Sequence, residues 1–405
     1  MSNKIALFLL CILFLAGCAP KEIIEDSDQA VQGSNAEVQE PVQQVEGKTT
    51  PSSQGLGRLC SGEEQCIAFC QYNRKQCEEY CAEHGIKYCF PANCQPNDHP
   101  VFTASFVDID KLARISPMGG IMVGSQSRTY VGMKKDENGL LVSSPVYAPV
   151  DSKLVGIVYA WRGDKVAGVA EYRLDFQVSC EVTYSFDHIP QLSDKLSKLA
   201  PEKPADNTYD NPITPVPIKV GEQVGFTKKG LDFFLFNRAK KVEHTNPKRW
   251  MSDHNTVADC PYDYFTNELK QKYYSLFTSA GGFVPDVKTF RSATRDVAGT
   301  LAGAWFQGDA TDMQGAHLYI ADDFNTVDMV REPQESTDKD YGFRLRDANP
   351  SKNPDQVKVG ELICYSDNTR FAYFQVIDIN KMKVSIASGT CPSVEPSSGY
   401  EIWER

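Results

Sequence analysis

Cysteine carries most of the reactive chemistry in this chain. Thirteen cysteines occur in 405 residues, many for a reducing compartment and ordinary for an oxidising one. Seven of them, Cys60, Cys66, Cys70, Cys77, Cys81, Cys89 and Cys94, crowd one short segment. The C-x3-C spacing of Cys66/Cys70 and Cys77/Cys81 puts each pair on one face of a helix. Ser61 with Glu64, and Asn73 with Gln76, form capping-box patterns, and Gly85 is a stop signal. Two short helices at about 62–72 and 74–84 follow from these signals. Folded as a hairpin, they would allow bridges Cys66–Cys81 and Cys70–Cys77. So small a module has little core and needs such staples. Four thiolates around a zinc ion are the rival arrangement, which C-x3-C spacing and export both disfavour. Further along, Cys364 and Cys391 bracket a strand pair with Asn380 at its turn and are expected to bond. Cys180 and Cys260 are the other expected pair. With Cys11 and Cys18 set aside, eleven cysteines remain; the odd one is expected in the crowded segment.

Other residue types that bind metals are sparser. His244, Asp253, His254 and Asp259 fall within sixteen residues. Their spacing matches no ligand pattern, and the segment reads as a solvated loop. His317 lies in Gly315–Ile320, which reads as an ordinary strand.

The first residues describe delivery rather than catalysis. Lys4 precedes an apolar run, Ile5 to Leu15, too short to span a bilayer and right for a signal peptide. Leu15-Ala16-Gly17-Cys18 looks like a lipobox, in which the cysteine sulfur receives diacylglycerol before cleavage. Residues 1–17 are therefore expected to be removed and Cys18 to be lipidated. Two acyl chains anchor stably. Residues 18–57 contain no aromatic residue and are rich in Gln, Glu, Ser and Val. Such a segment cannot bury enough apolar surface to fold and reads as a tether. The reading is an exported lipoprotein, facing a periplasm or the outside, with its acyl chains as the membrane attachment.

The elements that must position any site lie after this. Forty-two basic residues against fifty-three acidic ones leave a net charge of −11, which argues against a nucleic-acid partner. The length suggests two or three domains. Residues 58–99 are taken as the cysteine-rich helical module, 100–245 as a β domain, and 246–405 as a second β-rich domain with one helix over Phe265–Phe277. Strand patterns occur at 172–178, 181–186, 230–236, 317–321, 361–365, 370–378 and 382–387. The fold class is mainly β.

The order of motifs in 100–245 resembles the lysostaphin-type zinc peptidases. Tyr147-Ala-Pro149 with Gly156, Asp187-His188-Ile189, Lys219-Val-Gly-Glu-Gln-Val-Gly225, and Gly230 to Phe236 follow the family's order. The resemblance implies a β-sandwich-like duplicated hybrid motif. It also implies a zinc ion held by two His and one Asp, with a further His in catalysis. Arg128 stands where the first ligand His is expected, and a guanidinium cannot ligate zinc. The closing H-x-H is Asp232-Phe233-Phe234. Only His188 matches a family His. The resemblance thus implies a peptidase fold kept for recognition, with Arg128, His188 and Asp232 as binding residues and no cofactor. A glycan, peptide or protein partner follows. The alternatives are an active zinc peptidase using His188 and Asp232, and a purely structural surface protein.

Overall fold

The computed structural model describes residues 94–118, 127–161, 170–200, 207, 212–278, 294–312, 315–323, 326–332, 343–347, 350–394 and 398–405. The leader, Cys18, the tether and the helical module with Cys66, Cys70, Cys77 and Cys81 lie outside the described residues. What is described is mainly β and antiparallel.

The first unit contains ten strands: β1 (Leu112–Ser116), β2 (Thr129–Met133), β3 (Ser144–Tyr147), β4 (Ser152–Trp161), β5 (Ala170–Gln177), β6 (Val182–Ile189), β7 (Gln191–Leu192), β8 (Pro212–Ile218), β9 (Gln223–Thr227) and β10 (Gly230–Asn237). Seven form one sheet in the order β1-β2-β10-β6-β5-β4-β8, and β3-β9-β7 form a second. Edge strand β8 carries Pro212, Pro215 and Pro217, which remove ladder donors and close the edge to further pairing. A four-residue helix α1 (Asp194–Ser197), capped by Ser193, follows β7 and buries Leu196.

Between the two sheets lies an aromatic core. Phe233 of β10 sits at its centre, with ring centroids 4.8 Å from Phe106, 4.9 Å from Phe186 and 6.0 Å from Tyr262. These spacings suit tilted and edge-to-face aromatic contacts.

The domain boundary expected at 245/246 does not divide the cores. Cys260, Tyr262, Tyr264, Phe265, Tyr273 and Phe277 all pack into the first unit. The physical reason is aromatic density, because those rings complete the cluster around Phe106 and Phe233. The expected helix over 265–277 is shorter, α3 (Asn267–Tyr274), after a 3-10 turn at Pro261–Tyr264. A one-turn helix, α2 (Asp253–Thr256), precedes it.

The second unit has eight strands: β11 (Gly303–Phe306), β12 (His317–Asp323), β13 (Thr326–Glu332), β14 (Phe343–Asp347), β15 (Leu362–Ser366), β16 (Arg370–Asp378), β17 (Lys381–Ser388) and β18 (Glu401–Glu404). Their order is β14-β13-β12-β11-β18-β17-β16-β15. The two end strands approach each other, and Ser366 N donates to Asp347 Oδ2 at 3.4 Å. The sheet therefore curls toward a barrel around one core that includes Trp305, Trp403, Leu318, Phe374 and Met382.

Cys364 and Cys391 are bonded to each other. The expected Cys180–Cys260 bridge is replaced by Cys94–Cys180. The chain entering the first unit is tied to the β5–β6 turn: Cys180 N donates to Gln95 O, and Asn97 N to Glu181 Oε2. That brings Cys94 to Cys180, while Cys260 stays a buried thiol in the aromatic core. Cys94 thus leaves the crowded segment, and six cysteines, an even number, remain there. Cys260, buried in the first core, is not a member of the cluster, and the pairing expected within the cluster lies outside the described residues.

Candidate functional site

Strand β10 presents two faces. Leu231, Phe233 and Leu235 enter the core, so Asp232 and Phe234 point to the other side of the sheet. Asp232 lies opposite Tyr130 of β2 and opposite Asp187 of β6. The chain reaches this register through a tight approach at Gly230, which pairs with Gly132. Gly230 has φ +127°, and a Cβ there would lie 2.0 Å from Val131 O. Only glycine is tolerated.

The neighbouring ladder is interrupted where it meets the site. Tyr172 pairs with Ile189 and Leu174 with Phe186, so Asp187 and His188 together face the single residue Arg173. This is a β-bulge, a device that re-aims side chains. His188 takes φ 63°, the left-handed region that a non-glycine residue adopts only when its surroundings hold it there. Asp187 Oδ1 accepts the His188 backbone N–H at 2.8 Å, which supports that conformation.

The bulge places His188 between two carboxylates. Its Nδ1 lies 2.6 Å from Glu171 Oε2 of β5, and its Nε2 lies 3.5 Å from Asp232 Oδ2. The same Oδ2 is 2.9 Å from Arg128 Nε, just before β2. The Arg128 guanidinium is sandwiched between the rings of Tyr130 and Phe234, 5.0 and 5.2 Å from their centroids, within cation–π range. Asp232 is 2% exposed, whereas Arg128 and His188 are partly open to solvent. Burial pulls the His188 imidazolium pKa down, but Asp232 and Glu171 outweigh it and push it up to about 10. His188 is then a cation at neutral pH, donating from both ring nitrogens. Burial also raises the Tyr130 hydroxyl above its ordinary value, opposed by Arg128.

Tyr130, Glu171, His188 and Asp232 line an open cleft of about 270 Å³ together with Arg114, Ser116 and Lys229. The three residues singled out from the sequence, Arg128, His188 and Asp232, are thus adjacent. Glu171 was not anticipated. It sits on β5, two strands from β10, and meets the site only because the bulge turns His188 toward it. No spacing in the sequence signals that. The other histidine group does not converge. His244 stacks on Trp250 at 3.8 Å, His254 contacts Phe234 and Phe236, and Asp259 pairs with Lys240.

A zinc ion, implied by the peptidase resemblance, can be tested against these donors. Asp187, His188 and Asp232 bring one ligand atom each within 4.8 Å of one another, and they are the one such group among the described residues. Yet the Asp232 oxygen is already paired with Arg128, and a His188 imidazolium has no lone pair to give. Phe234 offers no donor. As folded, the residues do not fit the ion. Comparison of the chain with known protein families, with characterised proteins and with solved structures returns no match. Among the described residues no helix is long and apolar enough to cross a membrane.

Proposed function

We propose that this is an exported protein, anchored through lipid on Cys18, whose first β unit binds a ligand in the His188–Asp232 cleft without hydrolysing it. The observation that carries the reading is the seating of Arg128. A cation stacked on two rings, paired with a buried carboxylate of the cleft and partly open to solvent, is prearranged for a second anion. Arg114 and Lys229, which line the cleft, add positive charge. The ligand class is therefore a peptide, glycan or protein segment bearing a carboxylate. Arg is suited to this role by its planar donor fork.

The experiment is titration of the full chain with carboxylate-bearing cell-wall peptides, followed by mass analysis of the peptides with zinc added. Saturable binding is expected, weakened roughly tenfold or more by Arg128→Ala, which removes a charge-assisted contact. No cleavage is expected. Zinc-dependent cleavage abolished by Asp232→Ala or His188→Ala would instead make the domain a hydrolase. Anchoring is tested separately: Cys18→Ser should leave the membrane fraction or remain unprocessed.

A further inference from the structure

Two rows of residues cross the cleft on one face of the sheet. Ser116, Tyr130 and Asp232 stand opposite one another on β1, β2 and β10, and Arg114, Gly132 and Gly230 form the next row. Rows two residues apart along a strand are separated by about 7 Å. Val131 and Leu231 send their side chains into the core, so between the rows they offer the cleft only backbone. In the second row β2 and β10 carry no side chain, and Arg114 lies across the space this leaves. A Cβ on Gly132 would stand 3.2 Å from Arg114 Cγ and 3.6 Å from its Nε. Lys229, just before Gly230, lines the same end of the cleft.

The other charges of the lining already have partners. Asp232 is paired with Arg128, and Glu171 with His188. Arg114 and Lys229 are exposed, and among the described residues they make no ion pair or hydrogen bond. The cleft therefore offers cations at two levels. Arg128 serves the first row, over the Tyr130 ring and against Asp232. Arg114 and Lys229 serve the second. One compact anion cannot reach both levels, whereas the two carboxylates of a single glutamate can. A cleft of about 270 Å³ lies below the range of pockets that enclose drug-sized ligands, about 300–1,000 Å³, and suits one residue rather than a longer segment. We propose that the cleft takes the C-terminal acidic residue of a peptide, one carboxylate at Arg128 and the other between Arg114 and Lys229. This rests on the carboxylate-binding function proposed above and narrows its ligand class. A ligand carrying both carboxylates loses its free motion once for two contacts, so the pair of anions is what the cleft selects.

The test is calorimetric titration of the full chain with the tripeptide Ala-Ala-Glu, its C-terminal amide, and Ala-Ala-Gln, which keep two, one and one carboxylate. The diacid should bind about tenfold more tightly than either monoacid. Arg114→Gln and Lys229→Gln should each weaken diacid binding about threefold to fivefold, as expected for exposed charge pairs. The double variant should bind the diacid no better than the monoacids. Lys228→Gln, a neighbouring exposed charge that does not line the cleft, should change nothing. A diacid that gains nothing over the monoacids overturns the inference, as does an advantage that survives the double variant or falls equally with Lys228→Gln. Inorganic phosphate competing as strongly as the diacid would also overturn it, because the cations would then serve one anion. If the monoacids bind and respond to Arg128→Ala while the diacid gains nothing, the carboxylate cleft stands and only the two-carboxylate assignment falls. If none of the three peptides binds, the cleft loses its proposed function and this assignment with it.

Discussion

His188 concentrates the physics of the site in one residue. Its backbone is held left-handed by a bulge, and its ring lies between Glu171 and Asp232. Two carboxylates favour the charged imidazole more than burial disfavours it, so its pKa rises from 6.5 to about 10. NMR titration of its ring protons should show a single step far above pH 7. A raised folded-state pKa has a definite sign in stability. The contribution is complete below about pH 6.5, where folded and unfolded chains are both protonated, and is lost as pH rises through about 10. The native chain should therefore lose more melting temperature between pH 6.5 and 10 than His188→Asn, a variant whose residue tolerates the left-handed backbone. A melting profile equally steep in both would contradict this. Asp232 is the other pivot. Its removal leaves the Arg128 guanidinium without its buried carboxylate, beside a His188 cation held by Glu171 alone. Asp232→Ala should destabilise the first unit by about 3–5 kcal/mol, measured by denaturant titration.

At the scale of elements, β10 decides both core and cleft, because its alternate residues serve each. Phe233→Ala removes the ring at the centre of the aromatic cluster and should cost about 3–5 kcal/mol. The loss should appear in the tyrosine signal of the first unit before it reaches Trp305 and Trp403, which lie in the other core. The strand itself was legible in the sequence: Gly230 to Phe236 is continuous, apolar and broken once by Asp232, as a strand buried on both faces reads. So were β5, β6, β16 and β17. The bulge was not, because one inserted residue leaves no trace in a period-2 pattern. Without it, neither the contact with Glu171 nor the left-handed His188 could be anticipated. The domain boundary failed for a different reason. Tyr262, Tyr264, Phe265 and Tyr273 show helical or aromatic spacing, but spacing does not say which of two cores the rings will enter. The sequence reading pairs Cys180 with Cys260, and only the path of residues 94–97 beside the β5–β6 turn selects Cys94.

For the whole molecule, the decisive region is the segment that joins the two cores. Trp250 packs with Phe306, Tyr319 and Ala304 of the second unit, and Arg249 Nη1 donates to Gly308 O and Ala310 O. Asp296 ties the same joint from within. Its carboxylate accepts from Thr245 N on one side and from Ala304 N on the other, at 3.0 and 2.8 Å. His244 Nδ1 lies 3.8 Å away, and Arg405 sits near, bonded to Val297 O and Thr300 O and stacked 4.0 Å over Trp305. Burial works to raise the Asp296 pKa, but His244, Arg405 and the two backbone N–H groups outweigh it and hold the carboxyl below 3.8. The sign is opposite to that of His188. Asp296 contributes its stability above about pH 3.8, and that contribution is lost as pH falls through the lower folded-state value. Acid should therefore loosen the joint, and a neutral substitute should reproduce the effect at pH 7. Asp296→Ala leaves two backbone donors without their acceptor and takes the carboxylate charge away from the nearby Arg405 guanidinium, a loss of about 3 kcal/mol. Limited trypsin digestion at pH 7 reads it directly, since Lys248 and Arg249 lie in the joint. Native protein should resist cleavage there, and Asp296→Ala should be cut at these residues while the β10 and β12 strands on either side stay intact. Equal resistance in the two proteins would mean that the aromatic contacts of Trp250 hold the units together without the carboxylate.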